Sequence, residues 1–112
     1  MKGLGGLMKQ AQKLQEKMEK AQEELEKTEV EGTSGGGMVT VVANGKQEII
    51  RVKIDPEVVN PQEVELLEDL ILAAVNQARE RAQEVAEEKM REATSGMLPG
   101  MGDGLKIPGL IP

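Results

Sequence analysis

The chain of 112 residues carries 20 acidic and 14 basic side chains, a net charge of −6, and has no cysteine, histidine or aromatic residue. Without imidazole or thiolate it lacks the usual catalytic base, the usual covalent nucleophile and the N or S ligands of zinc, haem and iron–sulfur sites; without Phe, Tyr or Trp it cannot stack unpaired bases on rings. No apolar run approaches the roughly 18 residues of a membrane span and the first residues turn polar too early for a secretory signal, so a small cytosolic domain without metal, cofactor or small-molecule substrate is expected.

From Leu4 to Thr28 the apolar positions Leu4, Leu7, Ala11, Leu14, Met18, Ala21, Leu25 and Thr28 alternate by three and four, which predicts a long helix with a heptad seam. The seam fits an intermolecular coil and an amphipathic helix lying on its own core equally well. Charge along this helix is uneven: residues 1–22 sum to +3 and residues 23–31 to −4. Lys13, Lys20 and Lys27 share one heptad position with Lys9 and Lys17 beside them, a basic stripe away from the seam. A solvated face carries such a stripe too.

Glu31 to Gly37 ends the helix with a glycine cluster. A phosphate-binding loop is not expected, because Walker A needs Gly-Lys-Ser/Thr before a helix, whereas Gly37 leads into the β-branched run Met38–Ala43. Such glycines permit a bulge or a close crossing of backbones. Asn44-Gly45 is a strong hairpin signal, and Ile49 to Asp55 resumes the alternation at Ile50, Val52 and Ile54. A two-residue loop places Val39 opposite Ile50 and Val41 opposite Glu48. Thr28 to Ser34, with Val30 inward, supplies a third strand. Asn60-Pro61-Gln62-Glu63 starts a second helix with a side-chain cap, a proline at the first position and a carboxylate three residues on. Its apolar face, Val64, Leu67, Ile71, Ala74, Ala78, Ala82 and Val85, continues to about Ala93, so both helices overhang any sheet of such short strands. Asp55 to Leu70 has six acids and no base, while Arg79, Arg81, Lys89 and Arg91 follow.

Residues 1–94 form the domain, and 95–112 read as a Gly/Pro/Met-rich tail without regular structure whose Leu98, Leu105 and Ile107 are candidates to dock on a groove. Only 22 of the 27 Val, Leu and Ile residues then remain for the domain, with no ring to add the ~150–250 Å² that an aromatic buries. Association supplies the missing burial, so a homodimer is expected. Val39, Val41, Ile50, Val52, Ile54, Leu67, Leu70 and Ile71 are its candidate interface residues. In such a dimer each basic stripe appears twice about a two-fold axis, which suits two prongs gripping a duplex by its phosphates. Carboxylates mostly have a Lys or Arg three or four residues away, as in Glu16 with Lys20, and Ser34 and Ser95 have no base in view, so an enzyme is not expected.

Over nearly its whole length the chain resembles the YbaB/EbfC family of bacterial nucleoid-associated proteins. The resemblance lies in Leu7-Met8-Lys9-Gln10-Ala11-Gln12, Val30 to Gly37 leading to Val39-Thr40-Val41, Asn44-Gly45, Val52-Lys53-Ile54-Asp55-Pro56, Leu67 to Asn76, and Ser95-Gly96-Met97 before the tail. It implies an α+β fold, an α-β-β-β-α protomer with a three-stranded antiparallel sheet. It further implies a homodimer with protruding helical arms that binds double-stranded DNA, alters its conformation, influences gene expression and resides in the cytoplasm on the nucleoid. By position it puts DNA contacts on Lys9, Lys13, Lys17 and Lys20 of the first helix and on Arg79 and Arg81 of the second. Two rivals share the lack of catalytic groups: a coiled-coil chaperone resembling prefoldin, with a plain hairpin between its helices, and an assembly adaptor using the acidic stretch Asp55–Asp69.

Overall fold

The computed structural model describes residues 2–95; Met1 and 96–112, which include the tail, lie outside the described residues. The elements run α1 (Lys2–Lys27), β1 (Glu29–Ser34), β2 (Val39–Asn44), β3 (Ile49–Ile54) and α2 (Val64–Ser95). The strands form an antiparallel meander in the order β1-β2-β3. The third strand expected at Thr28–Ser34 is therefore present, and a plain hairpin between two helices, the architecture of the chaperone rival, is not what this chain builds. The molecule measures 73 × 33 × 16 Å, far longer than a six-residue strand of about 20 Å, so the helices do overhang the sheet.

Each turn is made by local chemistry. Thr28 ends α1: its hydroxyl donates to the Glu24 carbonyl at 2.7 Å and its N–H to that of Leu25 at 3.2 Å. Gly35, Gly36 and Gly37 take φ of +59°, +68° and +94° between β1 and β2, a left-handed path that side chains resist. After β3 the chain crosses over through two proline turns of the same design. The Asp55 carboxylate accepts from the Glu57 N–H at 2.9 Å, and the Asn60 side chain accepts from the Gln62 N–H at 3.0 Å, each with proline at the first turn position. The expected start at Asn60 is thus a cap on a short 3-10 turn, Pro61–Glu63, that leads into α2.

The hairpin departs from expectation. Val39 pairs with Ile54 and Val41 with Val52, not with Ile50 and Glu48. The cause is a loop of four residues instead of two. Gln47 takes φ +65°, the Asn44 side-chain oxygen accepts from the N–H groups of Lys46 and Glu48, and a bulge lies between Val42 and Ala43. The slip is even along most of the ladder, so Val52 and Ile54 stay on the face of Val41 and Val39. Gly45 does not supply a left-handed turn. A Cβ there would lie 2.6 Å from Leu25 Cδ2 and 2.9 Å from the Leu25 carbonyl oxygen, to which the Gly45 N–H donates at 2.8 Å. The glycine lets the hairpin tip dock on the end of α1.

The core is small. Val39, Val41 and Ala43 of β2 meet Ala74, Ala78 and Ala82 of α2, all fully buried. Spacing by four puts the three alanines on one stripe of α2 and brings its backbone down on the sheet. Gly32 of β1 sits directly below the Ala74 carbonyl and the Ala78 amide, where any Cβ would collide. Val39 and Val41, expected at a dimer interface, are instead wholly enclosed by their own α2 and have no surface to offer a partner. They face the side of the sheet that the helix covers. The helix covers chiefly β1 and β2. The same face of β3 lies at its edge, leaving Ile50 and Val52 41% and 47% exposed.

Candidate nucleic-acid interface

α1 and α2 pack antiparallel. Glu24 and Lys89 form a salt bridge, and Lys17, Lys20, Ala21, Glu24, Lys89, Glu92 and Ala93 line a shallow groove between the helices. The Lys89 hydrogen bond and charge, with Lys20 beyond, hold the Glu24 carboxyl below its ordinary pKa; in return Glu24 raises that of the Lys89 ammonium. Ala21 and Leu25 of the heptad seam are buried where α1 meets the rest of the protomer. The seam therefore faces its own chain at this end only.

Toward its N-terminus α1 becomes an arm. The level of Lys17 is reached by Ala93 near the end of α2, and among the described residues α1 then continues without a partner for some 20 Å at ~1.5 Å per residue. The basic stripe is on this arm and its base. At about 100° per residue Lys9, Lys13, Lys17 and Lys20 fall within an arc of about 80°, opposite the seam, and cover ~17 Å along the axis. All four are exposed. Among the described residues none of them forms a salt bridge, although Glu16 and Glu19 are on the same helix. They constitute a row of exposed point charges outside any salt bridge among the described residues, the form of positive surface that suits phosphate oxygens.

The two arginines are placed elsewhere. Arg79 and Arg81 precede Lys89 on α2 by enough to lie roughly 12–15 Å nearer the sheet than the groove. Arg79 is exposed. Arg81 donates to the Glu31 carbonyl at 2.7 Å, and one turn earlier Gln77 accepts from the Thr33 N–H at 2.6 Å. Both side chains satisfy backbone groups on the open edge of β1, groups that would otherwise be free to pair with another strand. Arg81 thus has a structural partner that its sequence position does not reveal. Lys89, by contrast, is in the basic second half of α2 but is given no DNA contact by its sequence position, yet it joins Lys17 and Lys20 at the groove. Its opposite number, Glu24, is at the far end of the chain, so only the packing of the helices could have disclosed the pair.

The first 97 residues match the model of the YbaB/EbfC DNA-binding family. A nucleoid-associated protein of Thermodesulfovibrio yellowstonii is 61% identical over 103 residues, covering 91% of this chain and 90% of its own. One from Paramagnetospirillum magneticum is 55% identical over 108 residues, 96% of this chain and 99% of its own. Among solved structures, a crystal structure of an uncharacterised protein from Helicobacter pylori superposes with a TM-score of 0.65 at 26% identity, over 76% of this chain and 86% of that one. A basic arm without catalytic groups, the α-β-β-β-α order and a match spanning most of the sequence agree: the chain belongs to the YbaB/EbfC DNA-binding family.

Proposed function

We propose that this protein is a cytoplasmic nucleoid-associated protein that binds double-stranded DNA as a homodimer, mostly through phosphates, and that by changing the conformation of the duplex it influences gene expression. The observation that carries this is the row Lys9, Lys13, Lys17 and Lys20, gathered on one side of a projecting helix and outside any salt bridge among the described residues. Lysine supplies charge without base-edge geometry, so the contact conveys little sequence information. The overall −6 does not oppose it, because the acids concentrate elsewhere, in residues 23–31 and 55–70. A phosphate-led contact releases counterions, so affinity for a duplex falls steeply with salt. Four to eight engaged lysines give a loss of about two to four decades between 50 and 200 mM salt, read by electrophoretic mobility shift. An affinity that does not change over that range overturns the proposal.

Dimerisation is supported by what the protomer leaves uncovered. Among the described residues its largest fully buried side chains are only Leu25, Val39 and Val41, whereas Ile50 and Val52 of β3 and Val64, Leu66 and Leu72 of α2 are 41–59% exposed. Leu67, Leu70, Ile71 and Ile54 are half-buried at the margin of the core. The β3 face and the first half of α2 form the proposed interface, with Ile50 and Val52 central. Val52→Lys adds a charge at a position that is open in the protomer, so it is expected to leave the fold intact and halve the mass found by light scattering at micromolar concentration. Wild-type protein that is already monomeric there contradicts the interface.

A further inference from the structure

Asn44-Gly45 is the one Asn-Gly pair in the chain. Of the other two asparagines, Asn60 precedes a proline, whose nitrogen bears no hydrogen, and Asn76 precedes Gln77 inside α2. In a flexible chain the Asn-Gly pair is chemically labile. The glycine nitrogen attacks the side-chain carbonyl carbon of the asparagine, a five-membered succinimide closes and ammonia leaves. Water then opens the ring at either carbonyl, to aspartate or to isoaspartate, whose backbone runs through the side-chain carbons. Glycine favours the attack because it puts no side chain in its path.

In this fold each reacting group is held. Asn44 is 4% exposed and ends β2, opposite Glu29 of β1. Its Nδ2 donates to the Glu48 carboxylate at 2.8 Å, and its Oδ1 accepts from the N–H groups of Lys46 at 2.9 Å and Glu48 at 3.1 Å. The Gly45 N–H donates to the Leu25 and Thr28 carbonyls at 2.8 and 3.0 Å. Both acceptors are at the end of α1, and Leu25 lies directly against the glycine. Ring closure turns the Gly45 nitrogen back onto the Asn44 side chain, out of the extended conformation of a strand. It therefore requires that Gly45 first leave Leu25 and Thr28.

We propose that Asn44-Gly45 is a self-modification site gated by α1. While the base of α1 covers the hairpin tip, the asparagine is inert. In molecules whose α1 has lifted, the Gly45 nitrogen loses its proton and bonds to Asn44 Cγ, Nδ2 departs as ammonia, and hydrolysis leaves a carboxylate. Refolding does not undo the change. Aspartate replaces a donor by a second acceptor beside the Glu48 carboxylate, in a buried place. Isoaspartate lengthens the backbone by one carbon just ahead of Gly45, where the fit against Leu25 leaves no room even for a Cβ. Either product keeps the hairpin tip from taking back the end of α1, so the base of the lysine-bearing arm stays loose. The missing side chain that lets Gly45 fit against Leu25 also leaves its nitrogen unhindered, so the packing requirement itself creates the chemical weak point. The inference does not rest on DNA binding.

Full-length protein kept near neutral pH at physiological temperature is digested with trypsin, and the peptide of residues 28–46 is followed by mass for conversion of amide to acid. Ring closure is slow beside reclosing, so its rate follows the population of the open form. A free peptide of residues 39–50 is expected to convert at least about 100-fold faster than the folded chain. Leu25→Ala, which uncovers Gly45, converts at least about tenfold faster than the parent. Thr28→Val, which removes the hydroxyl bond to the Glu24 carbonyl and leaves the core intact, converts at least about twofold faster. Protection of the β2 amides from exchange reports that each variant keeps its sheet; if Leu25→Ala loses that protection, Thr28→Val decides alone. Converted protein, separated from the parent by its added negative charge, is expected to exchange the amides of residues 21–28 at least about tenfold faster. A folded chain that converts as fast as the free peptide overturns the proposal, as does a folded variant that converts at the parent's rate. Converted protein whose residues 21–28 exchange like the parent's overturns it as well.

Discussion

Changing Lys9, Lys13, Lys17 and Lys20 together to glutamine is expected to weaken binding to duplex DNA by at least about 100-fold at low salt and to flatten its salt dependence by roughly one unit of slope per lysine that had met a phosphate. The fold should not change. All four side chains are exposed, none belongs to the buried clusters, and glutamine is nearly as good a helix former as lysine. Circular dichroism of the variant then overlays that of the parent while the mobility shift disappears. The slope separates this mechanism from a mere loss of net charge. A general repulsion, from −6 to −10 in formal charge, lowers affinity but leaves the remaining phosphate contacts with their own salt dependence. Arg81→Gln makes a useful contrast, since that guanidinium holds the Glu31 carbonyl; its loss acts on the edge of the sheet before it acts on DNA. If the quadruple variant binds as tightly as the parent, the contact surface is not the arm.

Gly32→Ala is expected to be the most damaging single-methyl substitution in the protein. The added Cβ would overlap the Ala74 carbonyl and the Ala78 backbone, and neither can rotate away as a side-chain end could. α2 must lift from β1, which separates the alanine stripe from Val39 and Val41 along the whole small core. Overpacking of cores costs about 1–3 kcal/mol, and a backbone collision places this case at ~3 kcal/mol. For a domain of this size that lowers Tm by roughly 12–24 °C, readable as loss of helical circular dichroism on heating. Gly5→Ala is the control, because a Cβ there meets nothing within 4 Å and alanine favours the helix; its Tm should hold or rise. A Gly32→Ala protein that melts within ~2 °C of the parent would falsify the close crossing.

The sequence was most informative where one residue property decides one local outcome. The three-four alternation from Leu4, the proline after Asn60 and the β-branched runs mark out both helices and the strands to within a few residues of Lys2–Lys27, Val39–Asn44 and Val64–Ser95. It failed where a residue answers to something distant. Asn44-Gly45 carries the signal of a two-residue turn, but Gly45 is required by Leu25 of α1, and the turn is set by Gln47 and the Asn44 side chain; the register of β3 follows from that. Val39 and Val41 alternate as interface residues would, and only the position of α2 across β1 and β2 makes them core while leaving Val52 open. Arg81 shows the same limit, because no pattern in the sequence reveals that the edge of β1 needs a donor. The lysine row was legible because it depends on one helix alone. Whether its charges were already neutralised depended on side-chain placement, which the structure supplies.

The joining of Glu24 to Lys89 also governs the order in which the molecule can be made. A ribosome releases α1 first, yet the surface against which Ala21 and Leu25 close belongs in part to the last turns of α2 and to the hairpin tip at Gly45. Synthesis at ~5–20 residues per second leaves the nascent seam bare for seconds, through translation of the whole meander and the two proline turns that follow it. Slowed elongation between β3 and the end of α2 should prolong that exposure more than slowing anywhere upstream of α1's completion.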